Sequence, residues 1–239
     1  MSLTNSASPD SGRNPRLKPV LCYVTDRLGW AAPSEAACKE KLLDRIEALS
    51  AAGIDWIQLR EKDLSARALS DLTCSALHRV ARHPPSEQAH TRLMVNDRLD
   101  AALAERAGGV HLGEQSLPVA EARRLLLARQ SLSTKASDFL LGVSCHSLDQ
   151  AKAAATSGAN YIFFGPVFVT PSKTKYGPPQ GVDRLHEVCS SVPIPVLAIG
   201  GITLETAPSC FAAGASGIAS VRLFQDAPDP AAVIRNLLS

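Results

Sequence analysis

Gly53-Ile54-Asp55-Trp56-Ile57-Gln58-Leu59-Arg60-Glu61-Lys62-Asp63 passes from a mainly apolar run straight into a charged one, and a helical pattern that Ser65 can cap follows it. A strand that is apolar almost throughout is buried on both faces, as in a parallel sheet covered by helices. Charges gathered where such a strand ends mark the functional edge of an α/β fold. The same order recurs where Leu93-Met94-Val95 runs into Asn96-Asp97. The two segments bring complementary chemistry. Arg and Lys grip an anion such as a phosphate, and an Asp carboxylate can hold the Mg²⁺ that usually accompanies a pyrophosphate.

The pattern extends along the chain from Lys18. Strands are expected at Val20 to Val24, Ile54 to Leu59, Leu93 to Val95, Gly109 to Leu112, Leu140 to Val143, Tyr161 to Phe164, Pro195 to Ile199 and Ile218 to Val221. Helical patterns lie between them: one begins at Ser34, one runs from Ser65 to about Arg82, one covers Leu99 to Ala107, Pro118 opens another, and Ser147 to Ser157 forms the next. Gly53, Gly158 and Gly214 stand where a helix must end before the following strand. Eight strand–helix units predict a single-domain α/β fold over 18–239, a (β/α)8 TIM barrel, with an open doubly wound sheet as the alternative. Residues 1–17, rich in Ser, Asn, Pro and Arg with no apolar segment, read as a disordered tail.

Composition narrows the function. The 239 residues are 45% hydrophobic and carry a formal net charge of +2, which supports neither a nucleic-acid tract nor a membrane-binding basic surface. No apolar stretch approaches the ~20 residues that cross a bilayer. Six dispersed cysteines, with no Cys-x-x-Cys pair and no signal peptide, read as reduced residues of a cytoplasmic protein. His-Glu-x-x-His and Gly-x-Ser-x-Gly are absent, so zinc proteolysis and nucleophile-elbow hydrolysis have no support.

In a barrel, function sits at the carboxyl ends of the strands. Those positions are Thr25-Asp26-Arg27, Gln58 to Lys62, Asn96-Asp97, Gly113-Glu114-Gln115-Ser116, Ser144-Cys145-His146, Thr170-Pro171-Ser172-Lys173, Gly200-Gly201 and Arg222. The double glycine lets backbone N–H groups approach a phosphate, or simply makes a tight turn. Several of these groups, and His111 on the fourth strand, have a plainer reading as well. Arg60 and Glu61 can pair with each other, Asn96-Asp97 can cap a helix, His111 is a packed, hydrogen-bonded histidine, and His146 belongs to a cap region. The Lys173-Thr174-Lys175 cluster can be a solvated loop. Single roles of this kind leave the shared rim placement unexplained.

Tyr-Val-Thr-Asp (23–26), Gln-Leu-Arg-Glu-Lys (58–62), Val-Asn-Asp (95–97), Gly-Val-His-Leu-Gly (109–113), Gly-Pro-Val-Phe-x-Thr-Pro-Ser-Lys (165–173) and Ala-Ile-Gly-Gly-Ile (198–202) together resemble the thiamine phosphate synthase family, which includes a sister branch of thiazole tautomerases. The resemblance implies small-molecule substrates, a hydroxymethylpyrimidine diphosphate and a thiazole phosphate, joined to thiamine phosphate with release of pyrophosphate. The pyrophosphate would leave first, and the thiazole nitrogen would then capture a pyrimidine methylene cation. The resemblance also implies that Gln58, Leu59, Arg60, Glu61, Lys62, Asn96, Ser144 and Lys173 form the pyrimidine diphosphate site. Arg60, Lys62 and Lys173 would act on the leaving group, and Asp97 would hold Mg²⁺. Thr170, Pro171, Ser172, Gly201, Val221 and Arg222 would line the thiazole phosphate site. Self-association is left open.

Three positions depart from the family pattern. Ser116 stands where an Asp would be the second metal ligand, Arg222 stands where a Ser is usual, and Pro166 stands where the tautomerase branch has its catalytic His. Retention of the diphosphate motifs favours the synthase. The alternatives are a thiazole tautomerase and a non-catalytic thiazole or thiamine phosphate binder.

Overall fold

A computed structural model of the protein describes residues 18–83, 91–130, 138–170 and 178–239. The tail 1–17, the Pro84-Pro85 segment, Pro171, Ser172, Lys173 and the Thr174-Lys175 pair lie outside the described residues. Eight parallel strands close in chain order: β1 (Val20–Val24), β2 (Trp56–Leu59), β3 (Arg92–Asn96), β4 (Gly109–Leu112), β5 (Leu140–Cys145), β6 (Tyr161–Phe164), β7 (Val196–Ile199) and β8 (Gly217–Ser220). Closure rules out the open sheet, because β1 pairs with β2 at Cys22↔Trp56 and with β8 at Leu21↔Ile218. Helices α1 (Glu35–Ala51), α2 (Ala66–Ala81), α3 (Leu99–Ala104), α4 (Val119–Gln130), α5 (Leu148–Thr156), α6 (Gly181–Ser191) and α7 (Ala207–Ala212) follow successive strands. A single turn, α8 (Arg222–Gln225), precedes the C-terminal α9 (Pro230–Leu238).

Local chemistry sets these boundaries. Ser34, Ser65 and Ser147 each accept a hydrogen bond from the backbone N–H three residues on, at 3.2, 3.3 and 3.2 Å, and so start α1, α2 and α5. Gly53, Gly158 and Gly214 adopt φ of 86°, 92° and 95°, the left-handed region where a side chain is disfavoured. The next N–H in each case reaches back to close the helix, as in Ile54 N–H to Leu49 O at 3.1 Å. For that reason β2 begins at Trp56 rather than Ile54. Ile54 completes the helix end, and Asp55 turns its carboxylate to the Leu21 N–H (2.9 Å) and Lys18 Nζ (3.2 Å). Strand β5 runs two residues further than the apolar run predicts, so Ser144 enters the ladder opposite Phe163.

Two apolar layers hold the barrel. Inside it lie Cys22, Val24, Met94, Tyr161, Phe163, Leu197 and Ala219. Gly142 makes room for the Tyr161 ring, since a Cβ there would lie 2.0 Å from Cζ. Between barrel and helices, Leu21, Ile57 and Val95 pack with Leu42, Ile46, Leu72 and Leu185. Each such side chain contributes roughly 1.5–3 kcal/mol on burial, so this layer fixes the frame from which the rim groups project. All six cysteines are free thiols. Among the described residues no helix is long and apolar enough to cross a membrane.

Candidate active site

The limb after β2 is built from β1. Thr25, fully buried, accepts the Arg60 N–H at 2.9 Å and donates to Glu61 Oε1 at 2.5 Å. Arg27, in a single 3-10 turn (Arg27–Gly29), gives its own N–H to Glu61 and its guanidinium to Glu61 (3.0 Å), Asp63 (2.5 and 2.7 Å) and Glu35 (3.3 Å). Burial pushes the Glu61 carboxyl up, opposed by its bonds from Thr25 and Arg27. The hydrogen bond from Arg27 holds Asp63 low, and it raises Arg27 further above its usual range.

Both carboxylates of this limb are thus committed to Arg27. The Arg60 and Lys62 side chains have no hydrogen bond or ion pair with the described residues. Glu61 pairs with Arg27 and not with Arg60, which corrects the expected alternative. Leu59 is fully buried in the layer between barrel and helices, and Glu61 is turned inward. Of Gln58 to Lys62, then, Gln58, Leu59 and Glu61 are buried, while Arg60 is half-buried and Lys62 exposed at the rim.

Across the rim, Gln58 Nε2 donates to Asn96 Oδ1 (2.8 Å), and Asn96 Nδ2 donates to Asp97 Oδ2 (2.7 Å). Gln58 Oε1 is buried with no partner among the described residues. Asp97 adopts a φ of 62°, and its Oδ1 receives the Gly113 N–H (3.0 Å) and the Ser116 hydroxyl. A helix-capping role is not what the carboxylate performs. Arg98 occupies the N-cap of α3 with no side-chain cap, and the Asp97 carboxylate bonds to the β4 loop through Oδ1 and to Asn96 through Oδ2.

The donor set suits a hard cation held jointly with a ligand's oxygens. It offers one half-buried carboxylate and a hydroxyl, and the described residues contain no cluster of three or more His, Cys, Asp or Glu. The Ser116 hydroxyl donates to the same Asp97 oxygen that the Gly113 N–H reaches. Glu114 approaches Gln150 on α5 instead, at 3.5 Å.

Ser144 faces His111, whose Nε2 lies 3.0 Å from its Oγ, while Nδ1 lies 3.1 Å from the Tyr161 hydroxyl. With only 1% exposure His111 is the packed histidine the sequence suggests. His146 precedes the α5 cap, as expected, but it also donates from Nδ1 to the Gly165 carbonyl at 2.5 Å. That bond ties the end of β5 to the loop after β6. Burial pushes the neighbouring Cys145 thiol up to about 12, so it offers no thiolate nucleophile.

Opposite, the β6 loop lies on the β7 loop through Val167 N–H to Ile199 O (2.9 Å) and Phe168 N–H to Gly200 O (3.0 Å). A Cβ at Gly201 would stand 2.6 Å from that of Phe168, so the double glycine serves this close crossing. Val221 joins the apolar barrel interior, and Thr170 lies at the edge of the described loop. Arg222 leans onto the β1 turn, donating to Gly29 O (3.2 Å) near Asp26 (3.8 Å) and Asp226 (3.5 Å).

Sequence reasoning missed Thr25 and Arg27 as organisers of the rim. Their partners lie 34–36 residues away. The available signal was the alternation of cation and carboxylate through Arg60-Glu61-Lys62-Asp63.

Residues 31–224 match the family model for thiamine monophosphate synthase. A putative thiamine-phosphate synthase of Geobacter sulfurreducens is 44% identical over 219 residues, 92% of each chain. The thiamine-phosphate synthase of Roseiflexus castenholzii is 39% identical across 98% of this chain and 91% of its own. Among solved structures, a thiamine phosphate pyrophosphorylase from Pyrococcus furiosus superposes with a TM-score of 0.73 at 28% identity, covering 94% of this chain and 96% of that one.

Proposed function

The chain belongs to the thiamine monophosphate synthase family, and we propose that it condenses hydroxymethylpyrimidine diphosphate with thiazole phosphate to give thiamine phosphate and pyrophosphate. It is a transferase of thiamine biosynthesis, acting on small molecules. One observation carries the reading of the site: Arg60 and Lys62 are cations without a partner among the described residues, in a limb whose carboxylates Arg27 has taken up. Such a limb favours a polyanion with two phosphate groups.

Within this reading, Gln58 and Asn96 orient the pyrimidine diphosphate, and Ser144 bonds to it from β5. Arg60, Lys62 and Lys173 stabilise charge as the pyrophosphate departs, which is electrostatic work that needs no strong base. Asp97 would hold Mg²⁺ with Ser116 beside it, and the ion would supply positive charge to the leaving group. Thr170, Pro171, Ser172, Gly201, Val221 and Arg222 bind the thiazole phosphate. The tautomerase alternative has the ring of Pro166, with no titratable group, at the position where its base is required. Residues 18–239 act as one catalytic domain, and the free thiols suit a cytoplasmic enzyme.

The test is purified protein with Mg²⁺ and both substrates, following pyrophosphate and thiamine phosphate together. Equal release and formation is expected. Conversion of a thiazole tautomer without pyrophosphate would replace the proposal with the tautomerase, and tight thiazole phosphate binding without turnover would replace it with a binding protein. Ser116→Asp should tighten Mg²⁺ about tenfold by adding a carboxylate ligand, read by direct metal titration of the protein with pyrophosphate present. Unchanged affinity would mean that another group already completes the metal site.

A further inference from the structure

The Arg27–Glu61 pair is buried at 3% side-chain exposure on each side. A buried ion pair is poor evidence for stability, because desolvation offsets much of the attraction; what such a pair can do is hold one defined geometry. Here the geometry fixed is that of the rim limb. Thr25 Oγ1 accepts the Arg60 N–H and donates a hydrogen bond to Glu61 Oε1, so one hydroxyl pins two consecutive residues. Arg27 then binds Glu61 and Asp63, which alternate with Arg60 and Lys62 along the chain. Left unpaired, those carboxylates would draw the neighbouring cations onto themselves.

We propose that Thr25, Arg27 and Glu61 are positioning residues for the reaction, a device that joins the turn after β1 to the end of β2 and leaves Arg60 and Lys62 at the rim without partners among the described residues. Glu61 is a buried anchor and not a ligand. The inference rests on the reading of Arg60 and Lys62 as diphosphate-binding groups. It adds that their availability is created by the turn after β1, whose bonds to Glu61 and Asp63 span 34–36 residues.

The experiment compares Thr25→Val, Thr25→Ser and Arg60→Ala in the full chain. Binding of inorganic pyrophosphate with Mg²⁺ is measured beside the KM of each substrate. Ile234→Ala, a core truncation on α9, serves as a purely destabilising control. Thr25→Val should weaken pyrophosphate and raise the KM of the pyrimidine diphosphate about tenfold, with the thiazole phosphate KM held within about twofold. Thr25→Ser, which restores the hydroxyl, should recover both. If Thr25→Val does not fold, Glu61→Gln, which keeps the shape and loses the ionic bond, should show the same split at smaller size. Weak pyrophosphate binding in Arg60→Ala beside normal binding in Thr25→Val overturns the inference alone, as does a parallel rise of both KM values matching that of Ile234→Ala. Normal binding in Arg60→Ala removes the diphosphate reading, and the inference falls with it.

Discussion

Arg27 and Arg79 each gather three carboxylates, yet they do different work. Arg27 binds Glu35, Glu61 and Asp63 at the barrel rim, and its own side chain is 3% exposed. Arg79, on α2, binds Glu40, Asp44 and Glu47 along α1, with its side chain at 17% and its partners at 58%, 65% and 26%. Around Arg79 water already solvates the carboxylates, so each bond replaces a good alternative and salt screens it. Around Arg27 the Glu61 carboxylate has no water to return to. The same residue types thus make a helix-surface network in one place and a defined geometry in the other, and burial is the difference.

Truncating the two arginines should expose the contrast most strongly. Arg27→Met leaves Glu61 buried without its cation and should cost about 3–5 kcal/mol in denaturant unfolding. Arg79→Met should cost far less, and that loss should shrink as salt is added, while the Arg27→Met loss persists. Equal costs, or equal salt sensitivity, would break the comparison.

A smaller effect separates the two carboxylates of Arg27 by pH. Asp63 is held low by the hydrogen bond from Arg27, so its contribution is present above the unfolded carboxylate range, about 3.9, and is lost as pH falls through its folded value. Glu61 is raised by burial, so its contribution is full below about 4.3 and declines as pH rises through its folded value. The stability differences between wild type and Asp63→Asn, and between wild type and Glu61→Gln, should therefore slope in opposite directions with pH. Parallel slopes would mean that the two carboxylates share one environment.

Much of this was legible in the chain. Apolar runs ending in polar groups, with Gly53, Gly158 and Gly214 before the next strand, specify eight units, because strand burial and left-handed helix exits are local demands that sequence states openly, while closure rests on the pairing of β1 with β8. The pairing of Gln58 with Asn96, and of Asp97 with the Ser116 loop, could be expected from adjacent strand ends. Harder to see was which charges in Arg60-Glu61-Lys62-Asp63 would stay available. In sequence the four are equivalent alternating charges. The closed barrel places the turn after β1 beside the end of β2, and that neighbour commits Glu61 and Asp63 to Arg27 while leaving Arg60 and Lys62 uncommitted among the described residues. By itself the sequence determined the eight strand–helix units and the inventory of rim groups. Tertiary structure decided which of those groups are spent holding the rim in shape, because that depends on burial and on register between segments far apart in the chain.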